Sequence, residues 1–367
     1  MEHNKPSLRQ ILVAAVFVLI IGGFLILNLA IPAPKLLASE RRAPAALPKL
    51  TVNSVLSAGF MNKFETYAAD RFVQRDKFRT LRAVTVFDVF WQTDKSGLYF
   101  GKSGVGEFKQ ANPVNVQKTA GLIKKVADRI AGCNIYYSIV PDKSLYAGKY
   151  LPGFDLNAAE AILGSALNGY DYIPLADSVT ADSFYKTDIH WDQAKIDDAL
   201  NRLCSAMGVT PDLSGYSETL AGTFHGVYTG QMALPMAPDQ MTYLSCPAVA
   251  ARYLNPVTLS FDALPVYNLQ GLAGVDPYDV FLRGPQPLIV LENPNATSSR
   301  ELYLFRDSFS SSLAPLLASA YGKVTLIDLR YIDAGMLDQF ISFDPGADVL
   351  FLYSSQILNN PSILKVQ

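Results

Sequence analysis

Leu302-Tyr303-Leu304-Phe305-Arg306-Asp307-Ser308-Phe309, residues 302–309, is the stretch that decides the fold. Its first four residues are an unbroken apolar run after the polar turn Asn293-Pro294-Asn295, the pattern of a buried strand. Beyond Phe309, the spacing of Leu313, Leu316, Leu317 and Ala320 predicts a helix to residue 321. Residues 324–328 and 349–353 are two more buried strands, and residues 288–291 another before them. A strand that turns directly into a helix carries the turn at its carboxyl end, beside the free amides of the helix start. A serine in that turn sits where an oxyanion can be stabilised. Asp307 and Ser308 are equally good helix caps, and that plainer role stands beside the catalytic one. Ser310, Ser311 and Ser312 add neighbouring hydroxyls.

The same alternation extends upstream. Residues 114–131 predict a helix through Val116, Ala120, Ile123, Ala127 and Ile130, with Gly132 at its end. Residues 135–140 read as a buried strand, followed by Pro141-Asp142-Lys143 where parallel sheets place functional loops. Residues 172–175 are a shorter strand candidate. The fold class is therefore α/β, a mostly parallel sheet flanked by helices. Residues 210–286 break the pattern: rich in Gly, Pro, Tyr and Thr, they predict an irregular insertion with short strands.

Between these lies Thr187-Asp188-Ile189-His190-Trp191. The chain has only three histidines, and His3 sits in a polar tail, so imidazole chemistry falls to His190 or His225. In an extended segment, residues i and i+2 face the same side. Asp188 would then hold one ring nitrogen of His190 and leave the other free as a base, half of a Ser-His-Asp arrangement. Trp191 would point the other way and pack beneath, and Asp192 would cap a helix lined by Ile196, Ala199, Leu200, Leu203 and Met207. A loop histidine ahead of a helix is the alternative.

At 367 residues, with half of them apolar and only 17% charged, the chain is built to bury a core. A net charge of -2 gives no electrostatic basis for nucleic-acid binding. Cys133, Cys204 and Cys246 are too few for a disulfide framework and lack zinc-site spacing. Residues 11–31 form an apolar run long enough to span a bilayer, with Lys5 and Arg9 before it and Pro32 after it. The expected organisation is a cytoplasmic tail and signal anchor over residues 1–34, a linker over 35–50, and an extracytoplasmic domain over 51–367. The expected location is the cell membrane, single-pass, with the bulk outside.

Tyr185-Lys186-Thr187-Asp188-Ile189-His190-Trp191 and Asp307-Ser308-Phe309 together resemble the paired motifs of the DHHW family. They are also similar to the SGNH-hydrolase-like alginate O-acetylation proteins of the AlgJ and AlgX type. Phe64-Glu65, Tyr67, Asp70, Phe72 and Arg75-Asp76 fit the start of that family. Residues 97–101, 140–143, 326–331 and the strand into Tyr353 follow in its order, so the similarity covers about residues 40–360. The resemblance implies an SGNH-hydrolase-like, flavodoxin-like sheet with Ser308 as nucleophile, His190 as base and Asp188 as its orienter. Ile189 stands where the family name has its first histidine, and Arg306 where a Gly-Asp-Ser motif has glycine. Of the family's Gly-Gly-Asn-like turn only Gly284 carries over, within residues 281–286. No SGNH asparagine is placed; Ser355 and Gln356 are the substitutes on offer. Substrate contacts are thus expected from Arg306, Gly284, Gln356 and, at the cleft edge, His225.

The implied function is a membrane-anchored serine esterase or O-acetyltransferase acting on a cell-surface polysaccharide, with an acyl donor and no cofactor. A membrane-bound acyltransferase is an expected partner. The alternative is a catalytically inactive SGNH-like glycan-binding or envelope-assembly protein. A metal site from Asp188, His190 and Asp307 is a third reading, short of ligands.

Overall fold

The computed structural model describes residues 7–148 and 153–366. It divides into two units, one ending at Trp91 and including Gly230–Pro235, the other made of Gln92–Thr229 and Met236–Gln367.

The first unit begins with α1 (Leu8–Ala30), 23 residues, long and apolar enough to cross a bilayer. It starts three residues before the apolar run because Ser7 and Gln10 form a capping box there. It stops before Ile31, the residue ahead of Pro32, which proline biases away from the helical region. Three further helices follow: α2 (Val52–Leu56), α3 (Gly59–Arg71) and α4 (Arg75–Val84). Ala58, at a φ of 54°, turns the chain between α2 and α3. Residues 35–50 are tied to this unit. Both Arg42 η-nitrogens donate to Asp70, at 2.6 and 2.7 Å, and the Ala45 amide joins them at 2.8 Å. The Arg42 contact pulls the Asp70 carboxyl down to about 2.

The second unit opens with an antiparallel meander of β1 (Asp94–Lys95), β2 (Leu98–Gly101) and β3 (Gly104–Glu107). Helix α5 (Pro113–Ala127) is capped by Asn112 and ends four residues earlier than expected. Then come β4 (Asn134–Val140), α6 (Leu156–Ala166), β5 (Asp171–Tyr172) and α7 (Asp197–Ala206). Residues 210–286 hold a hairpin of β6 (Ser217–Phe224) and β7 (Asp239–Ser245), the short α8 (Val227–Met232), β8 (Ala250–Leu254) and β9 (Phe261–Leu264). The chain ends with β10 (Leu288–Glu292), β11 (Glu301–Arg306), α9 (Ser310–Leu317), β12 (Lys323–Ile327), β13 (Asp348–Ser354) and α10 (Ser355–Leu358).

Eight strands form the main sheet, in the order β5-β4-β13-β11-β12-β10-β8-β9. The first five are parallel; β10 then pairs antiparallel with β12, β8 with β10, and β9 with β8. Within residues 210–286, β8 and β9 therefore belong to the main sheet rather than to an excursion from it. Numbered along the chain, the parallel strands run 2-1-5-3-4; flavodoxin runs 2-1-3-4-5. The difference is that the final strand, β13, enters between β4 and β11.

Alternation along the central strands builds two cores. Leu302 and Leu304 of β11 and Leu350 and Leu352 of β13 face the core shared with α7 and α9. Tyr303, Phe305, Val349, Phe351 and Tyr353 face the other, shared with α5 and α6. Both faces being covered explains why these strands read as continuous apolar runs. The loops after β4, β11 and β13 all leave the carboxyl edge of the sheet, where α/β sheets bind their ligands.

Candidate active site

Ser308 lies in the turn between β11 and α9. The turn is fixed by Asp307, whose Oδ1 accepts from the Phe309 amide (3.1 Å) and Oδ2 from the Ser354 amide at the end of β13 (2.8 Å). Asp307 thus closes the turn ahead of α9 and ties two parallel strands together, which leaves the next hydroxyl, Ser308, for other work.

The partner loop is residues 184–191. It is a bend closed by an antiparallel bridge between Phe184 and Trp191, not the extended segment expected. Tyr185 N donates to His190 O (3.2 Å) and Asp192 N to Ser183 O (2.8 Å). Within the bend, one carboxylate oxygen of Asp188 accepts from both the His190 amide (3.1 Å) and His190 Nδ1 (2.7 Å). An ionised carboxylate only accepts, so Nδ1 carries the proton and Nε2 faces outward as an acceptor. His190 Nε2 lies 2.8 Å from Ser308 Oγ. The structure therefore brings Asp188, His190 and Ser308 into one hydrogen-bonded chain across 118 residues of sequence. The other Asp188 oxygen accepts from the Val227 amide (2.9 Å). This requires a close approach at Gly226, where a Cβ would lie 2.2 Å from Thr187 O.

Several residues hold this loop, and of these Lys143 had a functional reading in the sequence only as part of the loop after β4. Lys143, almost completely buried, donates from Nζ to the carbonyls of Tyr185 (2.6 Å), Asp188 (2.9 Å) and Lys186 (3.2 Å). Burial pulls its ammonium down to about 7. Asp239, at the start of β7, accepts from Lys186 N (2.8 Å), Thr187 N (2.7 Å) and Thr187 Oγ1 (2.6 Å). Tyr278 stacks on the His190 ring, 3.8 Å between centroids and 6° between planes, and its hydroxyl donates to Ser312 Oγ (2.7 Å). Asp276 and Pro277 set the short 3-10 turn that presents Tyr278. The Asp-Pro pair marks the turn in sequence, but nothing local links it to His190. Trp191 is fully buried, as its alternation suggested. Its indole donates to Phe309 O (2.9 Å) and Ser312 Oγ (3.0 Å), so it braces the nucleophile's helix α9 rather than the helix that follows it in sequence.

The remaining candidates fall elsewhere. Arg306 is buried, not poised over a substrate: Nη1 donates to Ser311 Oγ (2.7 Å), and Nε lies 3.9 Å from Asp328. Side chains alternate along β11, so Arg306, last in the strand, turns inward beneath the turn that Ser308 occupies. Ser355 is also buried and donates to Asp142, leaving it no free role as an asparagine substitute. Gln356 and His225 are exposed. Gly284 is held in a left-handed turn, φ 78°, where a Cβ would meet Asp279. A polar cavity of about 420 Å³ opens along residues 181–195, lined by Lys102, Tyr185, Lys186, Asp192, Glu218 and Asp239. No group of three or more His, Cys, Asp or Glu side chains suited to a metal occurs among the described residues.

No family model and no curated protein matches the sequence. Solved structures do. A DHHW family protein from Eubacterium siraeum matches over 72% of this chain and 93% of its own, with a TM-score of 0.57 and 16% identity. Bacillus cereus PatB1, in a form carrying a sulfonyl adduct, matches over 71% and 97%, with a TM-score of 0.54 and 16% identity. At that identity the likeness is one of fold: the α/β sheet described above is shared with these structures.

Proposed function

We propose that the protein is a serine-dependent acyl-transfer enzyme, an O-acetyltransferase or esterase of polysaccharide, held to the membrane by α1. The observation that carries this reading is the chain Asp188–His190–Ser308, with hydrogen bonds of 2.7 and 2.8 Å. Ser308 attacks the acyl carbonyl while His190 Nε2 takes its proton; the acyl-oxygen bond to the donor then breaks as His190 returns that proton to the leaving oxygen. The acyl group waits on Ser308 until a sugar hydroxyl or water, deprotonated by His190, attacks it and frees the serine. Asp188 keeps the imidazole in the required tautomer. The oxyanion draws on the amide of Ser308 itself, since Asp307 already occupies that of Phe309.

The inward turn of Arg306 favours this reading over an inactive glycan-binding module, because it leaves Ser308 clear of the bulky side chain beside it in sequence. PatB1, a neighbour of similar fold, carries a sulfonyl adduct, which supports a reactive group in that fold. The polysaccharide, acyl donor and membrane-bound acyltransferase partner come from the family resemblance. The test is turnover of a chromogenic acetyl ester, with and without soluble polysaccharide as acceptor, for wild type and Ser308→Ala. Ester cleavage lost in the variant supports the reading, and transfer to the sugar selects acetyltransferase over esterase. Equal cleavage by both proteins removes it.

A further inference from the structure

The first unit carries a surface that the acyl-transfer site does not use. Asn28, near the end of α1, accepts the Val73 amide through Oδ1 (2.8 Å), while its Nδ2 donates to Phe24 O (2.7 Å). Phe24 stacks on Phe72, 5.4 Å between centroids, and meets Phe78 at 5.7 Å; Phe72 and Phe78 are themselves 5.6 Å apart. The turn between α3 and α4 is thereby fixed to the flank of α1. Phe24 precedes the last helical residue, Ala30, by six positions, or about 9 Å along the axis. If α1 spans a bilayer whose apolar core is about 30 Å thick, that ring cluster sits below the membrane surface. Asn28 then supplies the acceptor that the Val73 amide would otherwise lack in a place short of water.

Around this point the unit is apolar outward and basic overall. Val55, Leu56, Met61, Leu81, Phe90 and Trp91 all stand exposed, and Trp91 is 82% exposed. Residues 35–91 hold ten Lys and Arg against five Asp and Glu, a net +5 in a chain whose total is -2, and residues 52–91 alone hold six against four. Exposed apolar and aromatic side chains combined with net positive charge are what an anionic lipid surface binds.

We propose that residues 52–91 form a collar docked in the headgroup layer of the bilayer that α1 spans, with the α3–α4 turn dipping into the apolar edge. The proposal rests on α1 as a membrane span.

The full-length chain is reconstituted into vesicles whose acyl chains are brominated near the headgroup, with and without anionic lipid. Emission of wild type is compared with Trp91→Phe. Trp191 is fully buried, so the difference between the two proteins reports Trp91. Docking predicts blue-shifted Trp91 emission, roughly halved by brominated lipid, little affected by aqueous iodide, and quenched more in anionic vesicles. A chain that resists alkaline carbonate extraction yet shows Trp91 quenched by iodide and untouched by bromolipid overturns the collar alone. Protection from both quenchers overturns it in favour of a protein contact. Release by carbonate overturns the spanning of α1 and the collar with it.

Discussion

Lys143→Met is the perturbation that best separates the loop's support from its chemistry. The ammonium reaches three carbonyls of the loop that carries Asp188 and His190, from a position at the carboxyl end of β4. Methionine fills most of the volume but donates nothing. Each buried carbonyl left unpaired costs about 1–3 kcal/mol, and relief of the ammonium's own desolvation offsets part of that. The net loss should be about 2–4 kcal/mol, or roughly 5–10 °C in melting temperature for a unit of this size. A loosened loop lets His190 drift from Ser308, so kcat on an acetyl ester should fall by about 100-fold while KM stays nearly constant. The pH signature is distinct. Folded Lys143 loses its proton near 7, whereas the unfolded chain keeps it to the ordinary lysine value. Between those values the unfolded state binds more protons, so this group's contribution to stability rises with pH. Lys143→Met should flatten that part of the stability curve. The assays are thermal melts across the pH range and ester turnover on the same samples. A variant with wild-type kcat and an unchanged melting profile would refute the positioning role.

Tyr278→Leu should lower kcat about tenfold by removing the plane against the imidazole, while Tyr278→Phe keeps the stack and most of the activity; steady-state turnover of both decides it. Trp191→Ala should lower the melting temperature on the order of 10 °C, since it empties a fully buried site and strips two hydrogen bonds. The first unit should be acid-sensitive through Asp70. Its folded carboxyl is held near 2, below the usual carboxylate value, so its contribution is complete above that value and lost as pH falls toward 2. Asp70→Asn should remove that acid step from a far-UV melt of the full chain.

The parallel core was legible in the sequence because its strands are covered on both faces and read as pure apolar runs, as residues 302–305 and 349–353 do. The turn at Ser308 was legible for the same reason: a strand and a helix with no loop between them admit only a few residues. The pair of Asp188 and His190 was visible through spacing, although the segment bends where an extended strand was expected. A tight local loop can bring i and i+2 together as well as a strand can. The order of β13 was not visible, because register and neighbour choice are set by which faces pack after the helices are placed. Asp239 and Tyr278 were hidden, and Lys143 was visible only as a member of a functional loop, because their partners in residues 185–190 lie 42 residues away or more and include backbone carbonyls and amides, which leave no mark in a side-chain pattern. Arg306 misled in the opposite way. Next to the serine in sequence, it is turned inward by the alternation of the strand that it ends.

In the proposed reaction Ser308 carries the acyl group. The direct measurement is peptide mapping by mass spectrometry after rapid acid quench of the protein mixed with an activated acetyl ester. One acetyl group is expected on the peptide containing Ser308 in wild type, and none in Ser308→Ala or His190→Ala. An acetyl group on another residue, or equal labelling of Ser308 when His190 is removed, would contradict it.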